Sequence, residues 1–167
     1  MVRWAIVGVT FAAAVTLSTT DSASPVFLWN ASHSIPIGLY RLTKPGELKV
    51  TDLVAVRPSK PLAAFLAQNG YLPAGVPMLK RVLGLPGQTI CRVASKIFVD
   101  ELEMGEARQV DGQGRPLPEW QGCQILAADQ VFLMNWQSAD SLDGRYFGPV
   151  ARSTIFAHAL PVWTEPE

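Results

Sequence analysis

The chain has 167 residues, of which 49% are apolar and 17% are charged. This length provides one domain with a buried core plus a short appendage, and the apolar fraction excludes a disordered chain. The 14 basic and 14 acidic residues cancel, which removes the bulk electrostatic attraction that nucleic-acid binding needs. We therefore expect no nucleic-acid partner. The 13 Gly and 13 Pro residues predict many turns between short elements and favour β-structure.

The N-terminus predicts export. Arg3 precedes an uncharged apolar run at residues 4–17, and the next charge is Asp21. This length is typical of a signal-peptide core and is short for a bilayer span, so a cleaved signal and an uncleaved anchor both stay open. A buried core helix is disfavoured because the run lacks a polar face. Arg3 should stay cytoplasmic, which places the rest of the chain outside. We expect a signal or anchor with its linker at residues 1–24 and the main domain at residues 25–167.

Residues 21–40 lead from this linker to a stretch rich in polar and turn-forming residues. Phe27 and Trp29 are expected either in the core or at the membrane interface. Residues 30–40 have the sequence Asn-Ala-Ser-His-Ser-Ile-Pro-Ile-Gly-Leu-Tyr. Its proline and glycine can hold a serine at a bend, which a nucleophile needs but which an ordinary turn also has.

The rest of the chain predicts short strands around one helix. We expect a buried strand at residues 53–56, a helix at 61–68 with proline in its first turn, and an extended run at 78–85. Polar residues 100–122 are expected to form a surface loop or excursion, and residues 136–146 another loop. The remaining predicted strands are residues 89–93, 96–99, 130–135 and 154–163.

The two cysteines, Cys91 and Cys123, are too far apart for a CxxC redox motif and lie in no zinc-ligand cluster. In a reducing cytosol they would be two buried apolar groups. Outside it, they are expected to form a disulfide worth about 3–4 kcal/mol for a loop of this length. The predicted export favours the disulfide.

Lys80 lies inside an apolar extended run, where a charged ammonium is costly unless it is paired or neutralised. Strand alternation toward solvent is one explanation. The other is burial that lowers the pKa of the lysine, so that its neutral amine can take a proton from a serine hydroxyl. His158 is expected to be a core or edge histidine. His33 adjoins Ser34 and should point to the opposite side of an extended backbone, so Ser34 and Lys80 are the remaining nucleophile–base pair.

Three segments, in order, resemble the signature boxes of the signal peptidase clan of Ser/Lys proteases. Residues 32–36 have the sequence Ser-His-Ser-Ile-Pro, residues 79–87 have Leu-Lys-Arg-Val-Leu-Gly-Leu-Pro-Gly, and residues 141–148 have Ser-Leu-Asp-Gly-Arg-Tyr-Phe-Gly. Within the clan the chain is most similar to the TraF-type conjugation peptidases. The form of the serine box, the short N-terminal anchor, the last box and the cysteine pair all agree with that subgroup.

The resemblance implies a role for each matching residue. Ser34 would be the nucleophile and Lys80 its general base. Ser32 would add its hydroxyl to an oxyanion hole beside the Ser34 N–H, where one donor is typically worth about 10²–10³-fold in rate. Ser141 would orient the Lys80 amine. The last two residues, Asp143 and Arg145, would form a supporting ion pair, or one that only shapes the loop.

The implied fold is mainly β: a signal-peptidase-like β-sheet or barrel domain with one or two short helices, preceded by an N-terminal hydrophobic signal or anchor helix. The implied protein is a serine endopeptidase without metal or cofactor, at the periplasmic face of the bacterial inner membrane, or in the periplasm if the N-terminal segment is cleaved. Its partners would be that membrane and a precursor polypeptide, most directly a pilin subunit in conjugative transfer, which related chemistry can also cyclise.

Two alternatives are a general type I signal peptidase that removes Ala-x-Ala signal peptides and a non-catalytic, membrane-tethered pilus assembly factor. Retention of both Ser34 and Lys80 argues against the second. Residues 53–56 and 78–83 are expected to line shallow pockets for small side chains.

Overall fold

The computed structural model describes residues 25–166. This part of the chain contains eleven strands, two short helices and a 3-10 turn. In chain order they are β1 (Phe27–Asn30), β2 (Gly38–Thr43), β3 (Leu53–Val56), α1 (Lys60–Gln68), β4 (Met78–Gly84), β5 (Thr89–Val93), β6 (Lys96–Val99), β7 (Leu102–Glu106), β8 (Gly122–Ile125), β9 (Gln130–Leu133), α2 (Gly144–Phe147), β10 (Val150–Ala151), the 3-10 turn (Arg152–Thr154) and β11 (Ile155–Thr164).

Seven strands form one sheet in the order β1-β2-β11-β3-β4-β9-β10, and its pairings are antiparallel. Both faces of the sheet are buried at its centre. Ala55 packs in one apolar cluster and Val54 and Val56 pack in another, because successive strand residues face opposite sides. Lys80, on β4, is the register partner of Val54, so it lies at the centre of the sheet and not at an edge.

The other four strands form a second sheet in the order β7-β6-β5-β8. A third apolar cluster, which includes Ile90, Ile97 and Phe132, joins β5 and β6 to β9 of the large sheet. Cys91 and Cys123 are register partners on β5 and β8 and form a disulfide. The disulfide expected between these two cysteines is therefore present, and it lies within the second sheet.

The mainly β fold is confirmed, and β3, β5 and β6 have the predicted bounds. Helix α1 begins one residue before the predicted helix, and β11 is shifted by one residue from the predicted final strand. Residues 100–122 are not only a loop, because β7 pairs with β6 inside this segment. Likewise α2 forms inside the predicted loop at residues 136–146, and β1 and β2 flank the serine stretch.

The expected N-terminal signal or anchor lies in residues 1–24, outside the described residues, and stays a prediction. None of the helices within residues 25–166 has the length and apolar character that crossing a lipid bilayer requires. Phe27 and Trp29 are not core residues, because about half of each side chain is exposed. The Trp29 ring stacks on Trp163, with 5.9 Å between the ring centroids.

Candidate active site

One cleft contains four of the polar residues singled out in the sequence. It has a volume of about 610 Å³, and Ser32, Ser34, Lys80 and Ser141 all line it. The two serines come from the loop between β1 and β2, the lysine from β4, and Ser141 from the segment before α2. The fold thus brings together residues separated by more than a hundred positions.

The loop between β1 and β2 is organised by Asn30, the last residue of β1. Its Nδ2 donates to the carbonyl oxygens of Ser32 at 2.8 Å, Ile35 at 3.2 Å and Pro36 at 3.1 Å. The Tyr40 hydroxyl donates to the Pro36 carbonyl at 2.7 Å. These contacts satisfy carbonyl groups that a tight loop would otherwise leave without partners. We call residues 30–36 the serine loop.

Gly38 begins β2 at the end of this bend. A Cβ atom at this position would lie 2.1 Å from the carbonyl oxygen of Trp163 on β11, and the φ angle of Gly38 is +158°. Glycine is therefore required by the close approach of two backbones. The serine loop is fixed at this end by the pairing of β2 with β11.

The hydroxyls of Ser32 and Ser34 are 3.1 Å apart and share a hydrogen bond. Ser32 Oγ also donates to Asn30 Oδ1 at 2.8 Å. Within residues 25–166, no hydrogen bond joins Ser34 to Lys80. Catalytic hydrogen bonds are often made only when substrate is bound, so this geometry is compatible with a nucleophile–base pair in one cleft.

The Lys80 side chain is buried, with 6% of the residue exposed. Its Nζ donates to Ser141 Oγ at 2.8 Å. Burial lowers the pKa of Lys80 to about 8; the nearby Asp143 charge raises this pKa and the Arg145 charge lowers it. The neutral amine is therefore well populated slightly above neutral pH, and the hydrogen bond to Ser141 leaves its lone pair free to accept a proton.

Asn135 holds the strand segment that carries Lys80. Its Nδ2 donates to the Leu79 carbonyl at 3.2 Å, and its Oδ1 accepts the Arg81 N–H at 2.9 Å. Its own backbone N–H donates to Asp143 at 3.0 Å. One fully buried asparagine thus connects β4 to the segment that precedes α2.

Asp143 and Arg145 form a buried ion pair behind the cleft. The carboxylate accepts from Arg145 Nε and from its Nη2, each at 2.9 Å, and also accepts the Arg145 backbone N–H as the N-cap of α2. The guanidinium donates as well to the carbonyl oxygens of Ser138 and Ser141. Neither charged residue lines the cleft, so the pair acts on it through the backbone that positions Ser141.

The apolar wall of the cleft was missed by the sequence analysis. It is formed by Leu66 of α1 and by the connection from α1 to β4, with Tyr71, Leu72, Pro73 and Val76. Met78 and Leu79 of β4 extend this wall, as expected, but the cleft lining includes no residue of β3. The expectation that residues 53–56 line the pocket was therefore wrong, because apolar clusters cover both faces of β3.

The two histidines are not arranged as a base for Ser34. His33 is exposed at the rim of the cleft. His158 lies on β11 and its Nδ1 is 3.7 Å from the Asp52 carboxylate, away from the residues that line the cleft. The site therefore combines hydroxyls with a buried amine, and the contributions of Asn30 and Asn135 add to what the sequence motifs indicated.

Comparisons with known proteins identify the family of the chain. The family model for signal peptidase, peptidase S26, matches residues 1–164. The chain is 34% identical over 157 residues to the plasmid transfer protein TraF of Escherichia coli, covering 92% of this chain and 85% of that protein. It is 33% identical over 147 residues to the conjugal transfer protein TraF of Agrobacterium fabrum, covering 81% of each chain.

Among solved structures, a signal peptidase I from Enterococcus faecalis is similar at 17% identity with a TM-score of 0.40, covering 68% of this chain and 97% of that one. The family assignment depends on the family model, which matches nearly the whole chain, and on the identity to the E. coli relative. This chain belongs to the signal peptidase family, peptidase S26.

Proposed function

We propose that this chain is a serine endopeptidase in which Ser34 is the nucleophile and Lys80 its general base. The observation that supports this proposal best is the buried Lys80 amine, whose pKa is lowered to about 8 in the cleft that Ser34 also lines. A lysine paired with an acid would keep its proton. Lys80 instead donates to a neutral hydroxyl, which leaves the amine able to act as a base.

The proposed reaction is acyl transfer through Ser34. As Ser34 Oγ bonds to the carbonyl carbon of the substrate, its proton passes to the Lys80 amine. The resulting ammonium then gives a proton to the leaving nitrogen as the peptide bond breaks. Water, deprotonated by the same amine, hydrolyses the acyl-enzyme. An amine of the product in place of water would cyclise it, which is the second outcome that this chemistry allows.

The oxyanion of the tetrahedral intermediate would be stabilised by the Ser34 N–H and by the Ser32 hydroxyl. Ser32 is two residues before the nucleophile, and the two hydroxyls are 3.1 Å apart, which supports a shared function. Ser141 would orient the amine through its 2.8 Å hydrogen bond. Asp143 and Arg145 would hold Ser141 in place, since the Arg145 guanidinium binds the Ser141 carbonyl.

The substrate would be an exported precursor, most directly a pilin subunit processed for conjugative transfer. This proposal is supported by the relatives, which are named as plasmid transfer and conjugal transfer proteins. The apolar wall of the cleft suits the uncharged residues of a precursor cleavage site. We further propose that residues 1–24 attach the domain of residues 25–167 to the periplasmic face of the inner membrane, or direct its export if they are removed.

The experiment is co-expression of the full chain with a pilin precursor of a conjugative transfer system, followed by detection of the processed form. Ser34→Ala and Lys80→Ala should each abolish processing while the protein stays folded. The exposed neighbours Ser59 and Lys60 provide matched controls, and Ser59→Ala and Lys60→Ala should process normally. Processing at the normal rate by either cleft variant would refute the assignment of nucleophile and base.

The same assay separates the alternatives. Broad cleavage of Ala-x-Ala preproteins in place of the pilin precursor would indicate a general type I signal peptidase. Assembly of pili by Ser34→Ala without any processing would indicate a non-catalytic assembly factor. Fractionation of the same cells tests the membrane attachment, because an anchored chain sediments with the inner membrane.

A further inference from the structure

The sequence motifs do not single out Asn30, yet its side chain makes several hydrogen bonds to the serine loop. It is buried, with 8% of the residue exposed. Its Nδ2 faces three carbonyl oxygens of the loop. Its Oδ1 accepts the Ser32 N–H at 3.2 Å and the Ser32 hydroxyl at 2.8 Å.

The orientation of this amide is fixed by its surroundings. An amide oxygen cannot accept from a carbonyl oxygen, so the group that faces Ser32, Ile35 and Pro36 must be the NH₂. The oxygen of Asn30 then faces Ser32, where two donors meet it.

The direction of two hydroxyl protons follows from this orientation. Asn30 Oδ1 is an acceptor only, so Ser32 must donate its single hydroxyl proton to it. In the 3.1 Å contact between the two serines, Ser32 Oγ is then the acceptor, and Ser34 donates. The chain of hydrogen bonds runs from Ser34 to Ser32 to Asn30, so neither serine proton is directed at Lys80 in the free protein.

We propose that Asn30 is a positioning residue that aims the Ser34 nucleophile and holds the Ser32 hydroxyl ready to donate to the oxyanion. The inference rests on the proposed function. It concerns how the serine loop is held. Asn30 lies outside the three segments that resemble the signature boxes of the family.

The reaction requires both protons to change direction. Ser34 must turn its proton from Ser32 to the Lys80 amine, and Ser32 must turn its proton from Asn30 to the substrate oxygen as charge develops on it. A neutral amide oxygen suits this exchange, because the oxyanion is the stronger acceptor of the two. Asn30 Oδ1 keeps the Ser32 N–H throughout, so the loop stays in place while the hydroxyl leaves.

The test compares Asn30→Ala with wild type and with Asn69→Ala in the full chain. Asn69 is a matched control: its Nδ2 also donates to a backbone carbonyl, that of Phe65, but it does not line the cleft. The probe is a fluorogenic peptide that spans the cleavage site of the co-expressed pilin precursor. We expect Asn30→Ala to lower kcat by about 10²-fold, the typical loss of one oxyanion donor, with KM within about 2-fold of wild type because bound substrate contacts are intact.

Two further measurements separate positioning from stability. In a Ser32→Ala background, Asn30→Ala should lower kcat by a smaller factor than it does in wild type, because part of its effect acts through Ser32. Asn30→Asp keeps the size of the side chain and loses its donors, so kcat should also fall.

The outcomes distinguish a failure of the proposed function from a failure of the inference about Asn30 alone. An inactive wild type, or an active Ser34→Ala variant, overturns the proposed function and this inference with it. Normal kcat in Asn30→Ala or in Asn30→Asp, or independent losses of kcat in the double variant with Ser32→Ala, overturns the inference and leaves the proposed function standing. Loss of the folded state in both Asn30 variants, measured by circular dichroism, assigns Asn30 to stability and also overturns the inference.

Discussion

The side-chain amide of Asn135 hydrogen-bonds the backbone on both sides of Lys80. Its nitrogen donates to the carbonyl of the preceding residue at 3.2 Å, and its oxygen accepts the N–H of the following residue at 2.9 Å. Just beyond β9, the Met134 N–H still donates to the Arg81 carbonyl at 2.9 Å. From there the Asn135 side chain supplies the hydrogen bonds that a strand backbone would otherwise make to β4. The backbone on both sides of Lys80 is therefore held by an uncharged side chain that does not line the cleft.

We predict that Asn135→Ala lowers the free energy of unfolding by about 2–4 kcal/mol. The substitution leaves a buried carbonyl and a buried N–H on β4 without partners, and each unsatisfied group costs about 1–3 kcal/mol. Urea unfolding followed by tryptophan fluorescence measures the change. A loss below about 0.5 kcal/mol would show that water replaces both contacts and that the backbone beside Lys80 does not need this side chain.

The strands that the sequence predicts well are those in which most residues are apolar or β-branched. Residues 53–56, 89–93 and 96–99 are such strands, and their bounds match β3, β5 and β6. The missed strand β7 contains two glutamates and a glycine and has no buried residue, so its local sequence indicates a loop. It is a strand because its backbone pairs with β6, and that pairing is a property of the tertiary fold.

The candidate site was predictable where a residue conflicts with its surroundings. Lys80 stands out because it is a cation in an apolar run, and Ser34 because it precedes a bend. Asn30 and Asn135 conflict with nothing nearby, so the sequence gives no signal for them. Asn135 acts on residues 54 and 56 positions away, and such long-range contacts become visible only when the strands are assembled.

We predict that Lys80→Met stabilises the protein at pH 7 by about 2 kcal/mol. The pKa of Lys80 is about 8 in the folded chain, against an ordinary value of 10.5. Between these values the unfolded chain binds more protons, so stability rises with pH through this window, and below pH 8 the full penalty of burying the ammonium is present. A shift of this size corresponds to about 3 kcal/mol, reduced by about 1 kcal/mol for the lost hydrogen bond to Ser141.

Urea unfolding at pH 7 and at pH 10.5 or above tests this prediction. The gain in stability should be present at pH 7. It should disappear at the higher pH, where Lys80 is neutral in the folded chain and at least half neutral in the unfolded chain, so that only the loss of the hydrogen bond to Ser141 remains. Lys60→Met replaces an exposed lysine and should change stability by less than about 0.5 kcal/mol. An equal effect of Lys80→Met at both pH values would contradict a buried lysine with a lowered pKa.

Gly144→Ala should destabilise the protein by about 1–3 kcal/mol, the usual cost of overpacking. A Cβ at Gly144 would lie 2.6 Å from the Phe132 ring and 2.7 Å from the Leu133 carbonyl oxygen, and a strand carbonyl cannot move without disturbing β9. Gly46→Ala is the matched control, because a Cβ there meets no atom within 4 Å. Thermal unfolding of both variants gives the comparison, and equal melting temperatures would contradict the close approach of α2 to β9.

Removal of the disulfide should cost stability without affecting the cleft. Cys91 and Cys123 are 32 positions apart, and closing a loop of that size in the unfolded chain is worth about 3–4 kcal/mol. The Cys91→Ala/Cys123→Ala variant should lose this amount in urea unfolding and should keep its kcat/KM at 20 °C, because neither cysteine lines the cleft. A thiol count on wild-type protein recovered from the periplasm provides the control, and two free thiols would refute the bond.

The pH dependence of kcat/KM should respond to the charge of Asp143, the N-cap of α2, which acts on the pKa of Lys80. With Lys80 as the proposed base, activity requires its neutral form, so wild-type kcat/KM should rise with pH around a midpoint of about 8, the pKa of Lys80. The Asp143 carboxylate raises this pKa. Asp143→Asn removes that charge and leaves Arg145, which lowers the pKa further, so the midpoint should move to lower pH.

The matched control for this shift is Asp140→Asn. Asp140 lines the cleft, but its side chain is 77% exposed and pairs with Arg108 at the surface, where water screens its charge. Its midpoint should equal that of wild type. Because Asp143→Asn leaves the Arg145 charge buried without its partner, it should also lose about 3–5 kcal/mol of stability, and the profiles must be measured where circular dichroism shows a folded chain. A midpoint for Asp143→Asn that stays in place or moves upward would show that Lys80 is not the group whose titration controls the rate.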